Sequence, residues 1–309
     1  MNLEPSNQTT LFYLNDFFLE LSNLHLSKSL PNKILLSGEK GIGKCTLAYH
    51  IINFILSADE DHPYDYKRLK INPENRSFKL VKNKSNPNLI LLDVVEEKKN
   101  IDINQIRNLI LTLNKSSFNS KARFVLIDNI ELLNLNSVNA LLKVIEEPND
   151  NVFFILINNN KKILPTLKSR CLNFKISLKS SDSLKVVDKL LSDNLSNIFN
   201  VELLSKFNTP GDILRIINFA DRNCIDTKDI SLKKFILKVL ANKTYKKETS
   251  DKDLIFLFIE HYFRQNVSIK NINLINMYKY FLKKINQTKR FNLDEETLFM
   301  EFEEKILNE

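Results

Sequence analysis

The sequence predicts an α/β protein: a parallel-sheet domain, then a small helical lid, then an all-α C-terminal domain. Three observations predict it. Short apolar runs alternate with amphipathic helical patterns up to residue 176, as in parallel strands joined by helical crossovers. From residue 177 onward the apolar spacing is helical only. A glycine-rich turn separates the first strand from the helix after it. These patterns divide the chain into expected domains at 1–177, 178–222 and 223–309.

The elements follow in order. Residues 11–26 have the spacing of an amphipathic helix, and 33–37 (KILLS) form a short buried strand. Residues 44–56 are helical. The polar stretch 57–87 contains Pro63, Pro73 and Pro87 and reads as an irregular insertion. Residues 89–95 are a second strand, and Ile103, Ile106, Ile110 and Leu113 fall on one helical face. Residues 123–128 (RFVLID) are a third strand. Residues 136–147 form a helix with Val138, Leu141, Leu142 and Ile145 on one face and Pro148 as its stop. Residues 152–157 are a fourth strand and 172–176 a fifth. Helical periodicity is clear at 232–240, 254–263 and 272–285. Phe256, Phe258, Tyr262 and Phe263 mark either a core stripe or an oligomerising face.

Composition excludes several function classes. Apolar residues make up 43% of the chain and charged residues 27%, as in ordinary globular proteins. No apolar run approaches the roughly 20 residues of a membrane span, and the polar residues 1–10 lack a secretion leader. Three cysteines (Cys45, Cys171, Cys224) form no C-x-x-C pair, and the four histidines are scattered. No disulfide framework and no zinc module is expected, and the reducing cytoplasm is the expected location. The net charge of +8 comes from lysines spread along the whole chain, so it is read as composition rather than as a nucleic-acid footprint.

The chemistry begins at Gly38-Glu39-Lys40-Gly41-Ile42-Gly43-Lys44-Cys45-Thr46. A strand precedes this segment and a helix follows, the context of a Walker A phosphate loop. Glycines let backbone N–H groups turn toward phosphate oxygens, and the helix N-terminus adds its dipole. Lys44 would reach the terminal phosphates. Only four glycines occur in the chain, and three of them lie here. One position departs from the pattern. The residue after the lysine should carry a hydroxyl for Mg²⁺, and a thiol stands there instead, a poor ligand for a hard cation. Thr46 is rotated by about 100° along the helix and does not simply replace it.

Asp128 ends the third strand, where ligand crevices form in parallel sheets, so it is a candidate for the Mg²⁺ shell. A carboxylate commonly follows in hydrolytic sites of this layout; here Asn129 follows, and Glu131, two residues on, is expected to face elsewhere.

Two further segments complete the set: NALLKVIEEP at 139–148, and Ser169-Arg170-Cys171 after the fourth strand. In order and spacing, these motifs resemble the P-loop AAA+ subunits of the bacterial DNA polymerase III clamp loader, above all the delta-prime type. GEKGIGKCTLAY and IDINQIRNLI are especially similar. The resemblance covers roughly residues 10–220. It implies ATP and Mg²⁺ as possible cofactors. It also makes Arg170 an arginine finger reaching into a neighbouring subunit's ATP, and places Asn158 or Asn159 in the sensor 1 region. Lys143, Glu146 and Glu147 read equally well as a solvated helix face. In the lid, Gly211 stands where motor subunits carry a sensor arginine, with Arg215 one turn later.

The resemblance implies a subunit that helps load a sliding clamp onto primed DNA, with weak or no hydrolysis of its own. Its implied partners are gamma/tau-like motor subunits, a delta-like subunit, the sliding clamp and primer–template DNA, with no membrane. DNA contact would fall on phosphates, since no base-reading motif is present. The alternative is an active gamma/tau-like ATPase motor, against which stand Cys45, Asn129, Gly211 and the missing zinc cysteines. An unrelated P-loop repair ATPase is disfavoured by the Ser-Arg-Cys segment.

Overall fold

The computed structural model describes all residues except 1–3, 95–99, 116–118, 148–150, 206–207, 247–248, 268–270, 292 and 308–309. Pro148, the expected helix stop, lies outside the described residues. The chain divides into two compact units, Met1–Asp182 and Ser183–Glu309.

The first unit is built on five parallel strands: β1 (Lys33–Ser37), β2 (Leu89–Leu92), β3 (Arg123–Ile127), β4 (Val152–Asn158) and β5 (Leu172–Lys175). Their spatial order is β2-β3-β4-β1-β5. Leu35 is paired with Leu156 and Val125 with Phe154, so the two apolar faces of the strands run in register. One face packs Ile34, Leu36, Phe124, Leu126, Ile155 and Ile157 against α1 (Asn15–Leu26) and α2 (Lys44–Leu56). The other packs Leu35, Val125, Ile127 and Leu156 against α4 (Ile103–Leu113) and α5 (Leu135–Glu146); α3 is Arg76–Lys82. Burial on both faces is why the central strands β1, β3 and β4 read as continuous apolar runs rather than as alternating ones. Asp102 and Gln105 close a capping box at the start of α4, and Asn134 caps α5. The short α6 (Pro165–Lys168) leads into β5.

The stretch 57–87 is not wholly irregular, contrary to expectation. It contains α3 and two buried tyrosine-anchored contacts with the first face. Tyr64 stacks on Phe18 with centroids 5.0 Å apart, and its hydroxyl lies 2.8 Å from His50 Nδ1. Asn53 Nδ2 donates to Asn75 Oδ1 at 3.1 Å, and both side chains are buried. These anchors are tertiary, which is why polar composition concealed them. The second strand ends at Leu92 rather than at residue 95, and the first helix starts at Asn15 rather than at residue 11.

Among the described residues, the second unit has regular elements that are all helical. It contains most of α7 (Ser180–Leu191), then α8 (Leu195–Ile198), α9 (Pro210–Arg222), α10 (Leu232–Ala241), α11 (Thr249–Asn266), α12 (Ile272–Phe291) and α13 (Glu295–Phe302). Phenylalanines hold it together: Phe219 meets Phe235, Phe235 meets Phe258, and Phe263 meets Phe281 and Phe302. Phe256, Phe258 and Phe263 are buried, so this part of the aromatic stripe is core.

Candidate functional site

The phosphate loop links β1 to α2. Gly38 donates its N–H to Asn158 O at 3.2 Å, tying the loop to the end of β4. A Cβ at position 38 would stand 2.3 Å from Ile176 O, so only glycine fits. Gly41 and Gly43 take positive φ of 84° and 93°, conformations that L side chains resist. Glu39, Lys40 and Gly41 are exposed at the turn, Ile42 is buried, and Thr46 is half-buried on α2.

Lys44 is 3% exposed. Its Nζ donates to Gly38 O at 3.0 Å and to Glu39 O. Burial lowers its pKa from 10.5 to about 8, against the opposing pull of Asp128 and Glu131. The ammonium is therefore held inside the loop's own carbonyls, beside two carboxylates.

Cys45 and Asp128 line the same cavity, so the thiol lies in the field of the carboxylate. Burial pushes the Cys45 thiol well above its ordinary range, and the Asp128 carboxylate adds to that. Burial also raises Asp128, helped by Asp93 nearby. A thiol is a poor donor for Mg²⁺, which takes oxygen ligands. The backbone of the loop fits a polyphosphate; the Asp128 carboxylate suits a hard cation, and the Cys45 thiol beside it does not. A cavity of about 430 Å³ adjoins this pair, lined by Tyr49, Leu89, Leu91 and Asp93 as well.

A polar network ties the C-terminal ends of β2, β3 and β4. Asn129 Nδ2 donates to Asp93 Oδ1 at 2.8 Å. Asn159 Nδ2 donates to Asn129 Oδ1 at 2.8 Å and to Glu131 Oε1 at 2.9 Å. Glu131 thus faces the site, correcting the expectation that it turns away. The cause is local: Asn129 takes a left-handed φ of 56° and opens a 3₁₀ turn, Ile130–Leu132, that carries Glu131 back. Asn158 is 6% exposed, and its amide is used locally, donating to Lys161 O at 3.0 Å. Of the two asparagines, Asn159 is the one that joins the network.

Arg170 sits apart, after α6. Its Nη2 pairs with Glu146 Oε1 at 2.6 Å and its Nη1 donates to Thr166 O at 2.9 Å. Gly211 is in the first turn of α9 in the second unit, with Arg215 one turn later. Sequence reasoning missed Asp93, Glu131 and the pairing of Glu146. Asp93 follows an apolar parallel strand just as Asp128 does, so the same end-of-strand argument could have found it.

Known proteins place this geometry. Residues 15–180 match the family model described as DNA polymerase III, delta subunit. The chain is 31% identical over 181 residues to a DNA polymerase III subunit delta' of Buchnera aphidicola subsp. Baizongia pistaciae, covering 56% of this chain and 49% of that one. It is 25% identical over 289 residues to the delta' subunit of subsp. Schizaphis graminum, covering 87% and 83% respectively. A DNA polymerase III subunit gamma of the latter is 31% identical over 173 residues, 55% of this chain and 45% of the relative. The chain thus spans about half the length of the first of these relatives. A gamma subunit-related protein of Thermotoga maritima shares the fold, with a TM-score of 0.50 at 17% identity over 91% of this chain and 96% of that one. The sheet order, the loop after β1 and this match agree with the resemblance drawn from the motifs, and the chain belongs to the DNA polymerase III, delta subunit family.

Proposed function

We propose that this chain acts as a delta-prime-type subunit of a clamp loader. It assembles with gamma/tau-like motor subunits and a delta-like subunit, and contributes to placing a sliding clamp on primer–template DNA in the cytoplasm. Its own hydrolysis of ATP is weak or absent, and Arg170 serves a neighbouring subunit's nucleotide in trans. The observation that carries this reading is Cys45, a thiol that lines the same cavity as Asp128 at the position where a hydroxyl would help hold the metal. Asn129 adds to it, being an amide at the position after Asp128, while the Glu131 carboxylate that faces the site accepts from the Asn159 amide. Arg170 is half-exposed, and its guanidinium suits charge spreading over a transferring phosphoryl group. The apolar side chains of Ile272, Phe291 and Met300 are exposed on the C-terminal helices.

Turnover by the isolated chain, with and without DNA, tests the first half of the reading. Negligible turnover is expected, and robust turnover abolished by Lys44→Ala would sink it. In the reconstituted complex Arg170→Ala should slow hydrolysis by about 10³-fold or more, the scale of arginine fingers. The motor reading draws on one specific observation, the retained glycine cradle with Lys44 inside it. The same turnover measurement on the isolated chain separates the two.

A further inference from the structure

Arg170 is a long side chain that is nevertheless held at both terminal nitrogens. Nη1 is tied to Thr166 O at 2.9 Å, within its own turn. Nη2 is tied at 2.6 Å to Glu146, the last residue of α5. The carboxylate stands where a helix disfavours it: the C-terminal end of the macrodipole is negative, and an acid there is mildly destabilising. The macrodipole therefore gives no reason for an acid at 146, while the guanidinium beside it does.

We infer that Glu146 is the positioning residue of Arg170. The inference rests on reading Arg170 as the group that meets a neighbouring subunit's nucleoside triphosphate. A free arginine loses much rotamer freedom when it docks on a phosphate, and that loss subtracts from the interaction. Glu146 and Thr166 O restrict the guanidinium beforehand, on rigid elements at the end of α5 and in the α6 turn. The N–H groups directed away from these anchors then serve the phosphoryl oxygens. The pair is half-exposed, with side chains 36% and 49% accessible, so it adds little to fold stability. Its removal leaves a folded chain in which orientation alone has changed.

The test uses the reconstituted complex with clamp and primed DNA, comparing Glu146→Ala, Glu146→Gln, Arg170→Ala and the double Glu146→Ala/Arg170→Ala. Glu146→Ala should lower kcat about two- to fivefold, the range of an exposed pair's coupling, while KM for ATP stays within about twofold. Glu146→Gln should keep most of the rate, because its carboxamide oxygen still accepts from Nη2. The double variant should be no slower than Arg170→Ala alone. An unchanged or faster Glu146→Ala, or an additive loss in the double variant, overturns the inference while leaving the Arg170 reading intact. An Arg170→Ala complex at the wild-type rate removes the Arg170 reading itself, and Glu146 with it.

Discussion

Lys44→Met tests whether the loop lysine is held as a desolvated charge. The substitution keeps an apolar stem of similar reach and removes the ammonium. In the folded chain burial lowers the Lys44 pKa from 10.5 to about 8. That displacement corresponds to roughly 3 kcal/mol between the two protonation states. The folded value lies below the unfolded one, so the unfolded chain binds more protons between pH 8 and 10.5. Stability must then rise with pH across that window; below pH 8 the full cost of the buried charge is present. At pH 7 methionine removes this cost but leaves the Gly38 and Glu39 carbonyls without the ammonium, at about 1 kcal/mol each. The variant should be the more stable by about 1 kcal/mol at pH 7. By pH 10.5 the wild type should have gained roughly 3 kcal/mol relative to it. Urea denaturation of both proteins at intervals from pH 7 to 10.5 reads this directly. Stability curves that run parallel with pH would refute a desolvated Lys44. A linked result follows for ligand binding. A polyphosphate prefers the charged lysine, so the affinity for inorganic tripolyphosphate should fall as pH rises above about 8.

Three other outcomes are expected. Gly38→Ala places a methyl 2.3 Å from Ile176 O, and Ile176 cannot recoil freely because its N–H is bonded to Ser37 O at 2.7 Å. A loss of about 2–3 kcal/mol in chemical denaturation is expected, and a loss under about 0.5 kcal/mol would refute the close approach. His50 is held neutral by burial, with its pKa pulled to about 4. Its folded value lies below the unfolded 6.5, so stability is lost as pH falls from 6.5 to 4, by up to roughly 3 kcal/mol. His50→Gln should be flatter over that interval, and equal acid sensitivity would count against the buried imidazole. Cys45→Ser puts a hydroxyl oxygen beside Asp128, so calorimetry should show ATP affinity becoming Mg²⁺-dependent in the variant and not in the wild type. Equal Mg²⁺ dependence in both would end the argument from the thiol.

β1 to β4 were legible because each carries a continuous apolar run; β5 (LNFK) alternates apolar and polar residues. β1 and α2 begin and end where the spacing placed them, and β3 and β4 differ from expectation by one residue. Lateral order was not legible. Nothing local says that β4 inserts between β3 and β1, and the network through Asp93, Asn129 and Asn159 depends on that adjacency. Glu131 was misjudged because its direction depends on one left-handed residue, Asn129, and asparagine tolerates that conformation without requiring it. Glu146 read as solvated because half of it is; its partner, Arg170, lies beyond β4 and α6 in the chain, so the pairing is set by tertiary structure.

The tyrosine-anchored stretch between α2 and β2 has a consequence for how this chain can be shortened. Tyr64 rests on Phe18 from α1 and edges against Phe54 from α2, so the loop is bolted to two helices at once. Trimming it residue by residue would expose aromatic surface long before the loop became short enough to close directly. A viable shorter chain would have to replace Phe18 and Phe54 in the same step. The same bolts make the 57–87 stretch a poor target for limited proteolysis, although its polar composition marks it as the natural place to cut.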